Sequence, residues 1–135
     1  LNDPQSVYEI FTKARLKALP VLYAEARRFN VKVPPIVSVK EIMIGDKRAF
    51  GLYEFNKRRI LINRAKIKEG LELGYEPDAI VGEMITTIIH EFKHYIDHVA
   101  YGVGLEKYLQ NQLKYEREAY EYTRQIIFKY WKIKL

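Results

Sequence analysis

The chain contains no cysteine, so neither a disulfide framework nor a cysteine-liganded metal site is open to it. Long apolar runs are missing too. Met84 to Ile89, the uncharged stretch at the centre of the chain, falls far below the roughly 20 residues that a membrane span needs. No segment is of low complexity, none repeats and none reads as a linker. Leu1-Asn2-Asp3-Pro4 has neither the basic nor the apolar region of a signal peptide. These absences make a soluble, cytoplasmic protein the expectation. Histidine is scarce: there are 3, and all lie between His90 and His98.

A chain of 135 residues with 48% hydrophobic content is expected to form one domain over 1–135 around a single core. The net charge is +6, but the basic residues are scattered over Lys13, Arg15, Lys17, Arg27, Arg28, Lys57 to Arg59 and the C-terminal lysines. No aromatic-and-basic motif links them, so no nucleic-acid partner is expected. The solvated surface of an enzyme acting on acidic or unfolded polypeptides accounts for the charge equally well.

Among what is present, His90-Glu91-Phe92-Lys93-His94 stands out as an HExxH motif. On an α-helix, residues four apart lie about 40° apart around the axis and roughly 6 Å apart along it. His90 and His94 thus project from one face, at the spacing that lets two imidazoles reach one zinc ion. Glu91 sits at the edge of that face, near the metal but badly placed to bind it, where a general base belongs. Ala79, Ile80, Met84, Ile85, Ile88, Ile89, Phe92 and Tyr95 make the helix apolar over most of its circumference. Two histidines and an acid in such a helix would be costly without a shared partner, and a metal is that partner.

A catalytic zinc site generally uses three protein ligands. His98 lies on the same helix and would have to bend back along it. A place behind a ligand, a place lining the cleft or a plain surface position suits it better. The third ligand is therefore expected to be a carboxylate from another helix, over residues 105–130. There Leu109, Leu113, Glu116, Tyr120, Thr123, Ile127 and Tyr130 recur at steps of four and three, reading as one buried stripe. Glu116 is its one acid, and the zinc would be the cation it needs. A salt bridge from Glu116 to a basic residue is the alternative, and Glu118 is the fallback ligand.

An HExxH followed by a glutamate on a later helix resembles the gluzincin class of zinc metallopeptidases. Glu116-Arg117-Glu118-Ala119 is similar to the ExxA signature of the CAAX prenyl-protease and HtpX families. There the first glutamate binds the metal and the alanine packs on the active-site helix, which implies Glu116 rather than Glu118. Tyr120 stands where those families carry Asp or Asn. The length and order of elements resemble the minigluzincins, small soluble proteins that reproduce that catalytic core, and the match runs from about Ile36 to Ile127. Arg48-Ala49-Phe50-Gly51 is similar to the Asn-Ala-Phe segment of the gluzincin cleft rim, with arginine replacing asparagine. This implies a substrate-binding strand at Ala49, Phe50 and Gly51; an ordinary middle strand with Phe50 in the core is the alternative.

The expected fold is α+β. Asp3-Pro4 reads as an N-cap and first helical residue. Val7, Phe11, Ala14, Ala18, Leu22, Ala26 and Phe29 give an amphipathic scaffold helix, with a kink or break at Pro20. A small, mainly antiparallel sheet of three strands follows, at 36–44, 49–55 and 59–63, with turns at Gly45-Asp46 and Asn56-Lys57. Glu76-Pro77-Asp78 starts the HExxH helix, Gly102 and Gly104 end it, and the glutamate helix closes the chain.

The expected function is that of a zinc endopeptidase: Zn2+ held by His90, His94 and Glu116, Glu91 as base, and an extended peptide or unfolded protein as substrate. The alternative is a non-catalytic, zinc-stabilised module that binds protein or nucleic acid. Lys132-Ile133-Lys134-Leu135 alternates polar with apolar, as an extended tail does. Such a tail could lie along the strand edge and keep the enzyme latent, fray, or pack Trp131 and Leu135 on the core.

Overall fold

The computed structural model describes residues 4–135, so the expected capping role of Asp3 lies outside the described residues. The first helix, α1 (Pro4–Phe29), buries Val7, Ile10, Phe11, Ala14, Ala18, Val21, Leu22 and Ala26 on one face. It runs unbroken through Pro20, where the sequence predicts a kink or break. Pro20 lies on the exposed side. The Leu16 carbonyl, which loses its usual N–H partner to the proline, belongs to an exposed residue and can be hydrated instead.

The class is α+β, with a sheet wired differently from the one turn chemistry suggests. Strands β1 (Ile36–Val39), β2 (Met43–Ile44), β3 (Lys47–Arg48), β4 (Gly51–Glu54) and β5 (Arg59–Asn63) form two sheets. Gly45 (φ 65°) closes the β2–β3 hairpin, as expected of its turn. The chain after Glu54 folds β4 back antiparallel onto β5. The stretch 36–44 is not one strand, however. Its first half runs parallel to β5, with Ile36 opposite Ile60 and Val39 opposite Asn63. Central β5 lies between β1 and β4, and Ile60, Leu61, Ile62 and Asn63 are all buried, so both of its faces are covered. The Asn63 amide explains the break between β1 and β2: it donates to Glu41 Oε1 (2.9 Å) and to the Ile42 and Ala49 carbonyls (3.3 and 2.7 Å).

A helix that the sequence reading did not anticipate, α2 (Arg64–Glu72), follows directly. Asn63 Oδ1 caps it by accepting from the Ala65 N–H at 2.9 Å, and Ile67 and Leu71, four apart, are its buried face. The central helix α3 (Pro77–Tyr101) starts with Pro77 at its first position and ends at Gly102, whose φ of 74° suits glycine. It packs on α1, on the sheet and on the last long helix. Met84, Ile88, Ile89, Phe92 and Ile96 are at most 1% exposed. Each such side chain stabilises the fold by about 1.5–3 kcal/mol on burial.

The expected single helix over 105–130 is two, α4 (Leu105–Gln110) and α5 (Gln112–Trp131), broken at Asn111. The buried face of α5 is Tyr115, Ala119, Tyr122, Thr123, Ile126 and Ile127. Leu109, Leu113 and Tyr120 of the expected stripe are 56%, 75% and 65% exposed, which overturns that stripe. The competing run Tyr115-Ala119-Tyr122-Ile126 also recurs at steps of four and three. It carries an alanine where α5 must come close to its neighbour. No helix of the described residues is long and apolar enough to cross a membrane.

Candidate metal centre

Because α3 is anchored by its apolar circumference, His90 and His94 are held side by side, ring centroids 5.1 Å apart. Helix α5 crosses α3 so that Glu116, at the edge of its buried face, reaches both. Glu116 Oε1 lies 2.9 Å from His90 Nε2 and Oε2 lies 2.8 Å from His94 Nε2. One ligand atom from each of His90, His94 and Glu116 lies within 4.8 Å of the others. These three could hold a metal ion, and they are the one such group found among the described residues. Glu118, the fallback ligand, is exposed on the other side.

The chemistry of the donor set fits a divalent cation. Carboxylate oxygens are acceptors, and each imidazole Nε2 is a donor or an acceptor according to its tautomer; with the proton on Nδ1, all three groups turn lone pairs toward one another, the arrangement that a cation satisfies. His94 Nε2 is buried and has no hydrogen bond of acceptable geometry, although Glu116 Oε2 is 2.8 Å away. A buried polar atom left in that state is costly. Two imidazole nitrogens and one carboxylate oxygen are what an open zinc site uses. Burial pushes the Glu116 carboxyl up, but contacts from His90, His94 and Tyr108 outweigh it and hold the pKa well below the usual range. His90 shows the opposite balance: burial lowers it, while Glu116 and Glu91 raise it above the ordinary histidine value.

Glu91 stands beside the group without joining it. Its Oε1 accepts the Tyr53 backbone N–H of β4 at 2.9 Å. Burial pushes its pKa up, partly offset by His94 and His90. The bond also fixes which way β4 faces. The Asn63 N–H donates to the Phe50 carbonyl at 3.0 Å, so Phe50 turns its backbone toward β5. Alternation then puts Gly51, like Tyr53, with its backbone N–H and C=O toward the free edge. A Cβ at Gly51 would meet Thr87 Cγ2 at 2.6 Å and the Leu61 carbonyl at 2.8 Å. Only glycine lets the strand lie this close to α3.

The cleft between β4, α3 and α5 encloses about 470 Å³, and Ala49, Phe50, Gly51, His90, Glu91 and Glu116 all line it. Phe50 is 43% exposed at its mouth rather than in the core, with Lys66 Nζ 4.5 Å over its ring. His98 is half-buried away from the ligand atoms. Its Nδ1 lies 2.7 Å from the Tyr53 hydroxyl, so it braces the strand that holds Glu91. Trp131 packs on the core, and Trp131, Ile133 and Leu135 line a cavity beside Gly82 and Ile85 that shares Glu83 and Thr86 with the metal cleft. The tail does not lie on β4 in this structure.

Tyr108 and Tyr53 escaped the sequence reading. The Tyr108 hydroxyl donates to Glu116 Oε2, and its ring meets that of His94 edge-on at 5.1 Å. Among 11 tyrosines, neither has a spacing signal. Both are placed by contacts between elements. No family model matches the chain, and no curated protein or solved structure is detectably similar to it.

Proposed function

We propose that this chain is a zinc-dependent endopeptidase of gluzincin type, related to the minigluzincins that its length and order of elements resemble. The observation that carries the reading is the convergence of His90, His94 and Glu116 beside a glutamate, Glu91, that is held apart from them. Zinc bound there supplies Lewis-acid polarisation of a carbonyl and acidifies water. Glu91 has one oxygen tied to the Tyr53 N–H, which leaves the other to take the proton of the attacking water and pass it to the leaving amine. Its raised pKa suits a group that must both accept and release a proton near neutrality. Tyr108, kept protonated by burial and by Glu116 beside it, serves as the oxyanion donor by turning its one O–H away from Glu116. An extended peptide adds to the free edge of β4 at Gly51, where backbone hydrogen bonds hold it without regard to sequence.

The test is cleavage of an unfolded protein by zinc-loaded parent and Glu91→Gln. Activity should fall at least about 100-fold in the variant, with metal content unchanged. Equal cleavage by both would assign the activity to a contaminant. The non-catalytic zinc-stabilised module would then be the surviving reading.

A further inference from the structure

The metal cleft continues past Phe50 into a second cavity of about 410 Å³ between α2 and the first turns of α3. Its walls are amphipathic. Phe50, Leu73, Tyr75 and Met84 provide the apolar surface, and Glu83 stands where the two cavities join, lining both. Glu83 is exposed, and among the described residues its carboxylate has no ion-pair or hydrogen-bond partner. The other acid of this cavity, Glu69, is already held by Lys66 (3.2 Å) and Arg48 (3.6 Å). A free carboxylate at the junction runs against the +6 net charge of the chain.

Geometry relates Glu83 to the reacting centre. It is seven residues before His90, so it lies on the same helical face about 10 Å along the axis. Strand β4 runs alongside α3 in the same sense, with Gly51 against Thr87 and Tyr53 against Glu91. A peptide added antiparallel to β4, the more stable pairing, therefore passes the metal from the Tyr53 end and leaves toward Phe50. The side chain that follows the scissile bond is delivered to the junction. A long basic residue fits there: its methylene stem lies along the apolar wall and its charged head reaches Glu83, while Lys66, which sits over the Phe50 ring, is paired with Glu69. On the peptidase reading above, we infer that Glu83 selects lysine or arginine immediately after the scissile bond.

The test uses zinc-loaded protein and short peptides with an N-terminal hydroxamate, to engage the metal, followed by Lys, norleucine or Glu. Binding is measured for parent, Glu83→Gln and Glu83→Lys; the position is exposed, so both variants should fold. Parent should bind the Lys compound about fivefold more tightly than the norleucine one. Glu83→Gln should abolish that preference, and Glu83→Lys should turn it toward the Glu compound. Equal affinities in the parent, or a Lys preference that survives in Glu83→Gln, would overturn the inference. The matching amide peptides, assayed for cleavage, report on the peptidase reading separately. Hydroxamates that bind selectively while no amide is cut would defeat the peptidase reading and leave Glu83 selectivity standing. Hydroxamates that do not bind at all would defeat both.

Discussion

Helix α5 is tied to its neighbours by a carboxylate near each end, and the two are treated differently. Near its C-terminal end the partner acid is Glu25 of α1, which is fully buried. Each Glu25 oxygen receives two donors. Arg28 and Tyr122 reach Oε1 at 2.9 and 3.1 Å, and Lys129 and Tyr130 reach Oε2 at 3.1 and 2.8 Å. Near its N-terminal end Glu116 faces two imidazoles whose Nε2 atoms donate in one tautomer and accept in the other, and the buried His94 Nε2 has no hydrogen bond of acceptable geometry. The Glu25 group is closed, with no capacity to spare. The Glu116 group is open to a cleft and could hold a metal ion. Satisfaction of every donor and acceptor marks a structural lock; a shared deficit facing a cavity marks a ligand site.

The sharpest way to break this contrast is to remove the charge from Glu116. Glu116→Gln should weaken zinc binding by at least about tenfold, and Glu118→Gln should leave it unchanged. Zinc affinity by competition with a chromophoric chelator measures both. Undiminished affinity in the Glu116 variant would remove that residue from the metal site and make the two carboxylates alike.

The next effect is on stability and sits at the other end of the helix. Glu25→Gln keeps the shape but loses the charge that four donors are arranged around, and should destabilise the fold by about 1–3 kcal/mol. Zinc affinity below the melting range should stay unchanged. Burial raises the Glu25 pKa, yet Tyr130, Lys129, Tyr122 and Arg28 outweigh it and hold the folded value below 4.5, the value of the free side chain. A depressed folded pKa means that the stabilisation is present above about pH 4.5 and is lost as the pH falls through the folded value. The acid limb of a melting-temperature profile should accordingly flatten in Glu25→Gln. An acid limb identical to that of the parent would show that Glu25 contributes nothing through its charge.

The same contrast explains what was legible in the sequence. His90, Glu91 and His94 could be read because a spacing of four on one helix needs no knowledge of its neighbours. Glu116 does come together with His90 and His94, but not by way of the expected stripe. The stripe that included Leu109, Leu113 and Tyr120 is exposed, and Glu116 sits at the edge of a different buried face, Tyr115-Ala119-Tyr122-Ile126. Two helical stripes one residue apart have the same period, and only the packing partner decides between them. The Gly45 turn was legible from local chemistry, whereas the parallel pairing of β1 with β5 is a non-local contact that no turn residue encodes. Helix α2 did leave a local signal, in the Asn63 cap and the Ile67–Leu71 pair, which the strand before it obscured. Glu25 leaves only the Arg28 pairing three residues on as a local signal, since its other three donors come from residues about a hundred positions away.

The smallest expected effect tests whether the open group borrows one element of the closed one. Both carboxylates accept a tyrosine hydroxyl: Glu25 from Tyr122 and Tyr130, Glu116 from Tyr108. At Glu25 the phenols are part of a saturated shell and serve stability. At Glu116 the single phenol orients the carboxylate toward the histidines in the resting site and, on the proposed mechanism, turns its one proton to the oxyanion. Tyr108→Phe removes one hydrogen bond to a charged group, which lowers stability by about 1.5–3 kcal/mol if the role is purely structural. If the hydroxyl belongs to the metal site, its loss from a partly exposed cleft should cost little in melting temperature, because water can replace it at Glu116. Zinc affinity should then fall a few-fold, and the peptide cleavage rate should fall further, with KM nearly constant, because an oxyanion donor acts on the transition state rather than on substrate binding. A variant that melts early but cleaves at the parental rate would place Tyr108 with Tyr122 and Tyr130 as a structural phenol. The oxyanion would then need a different donor.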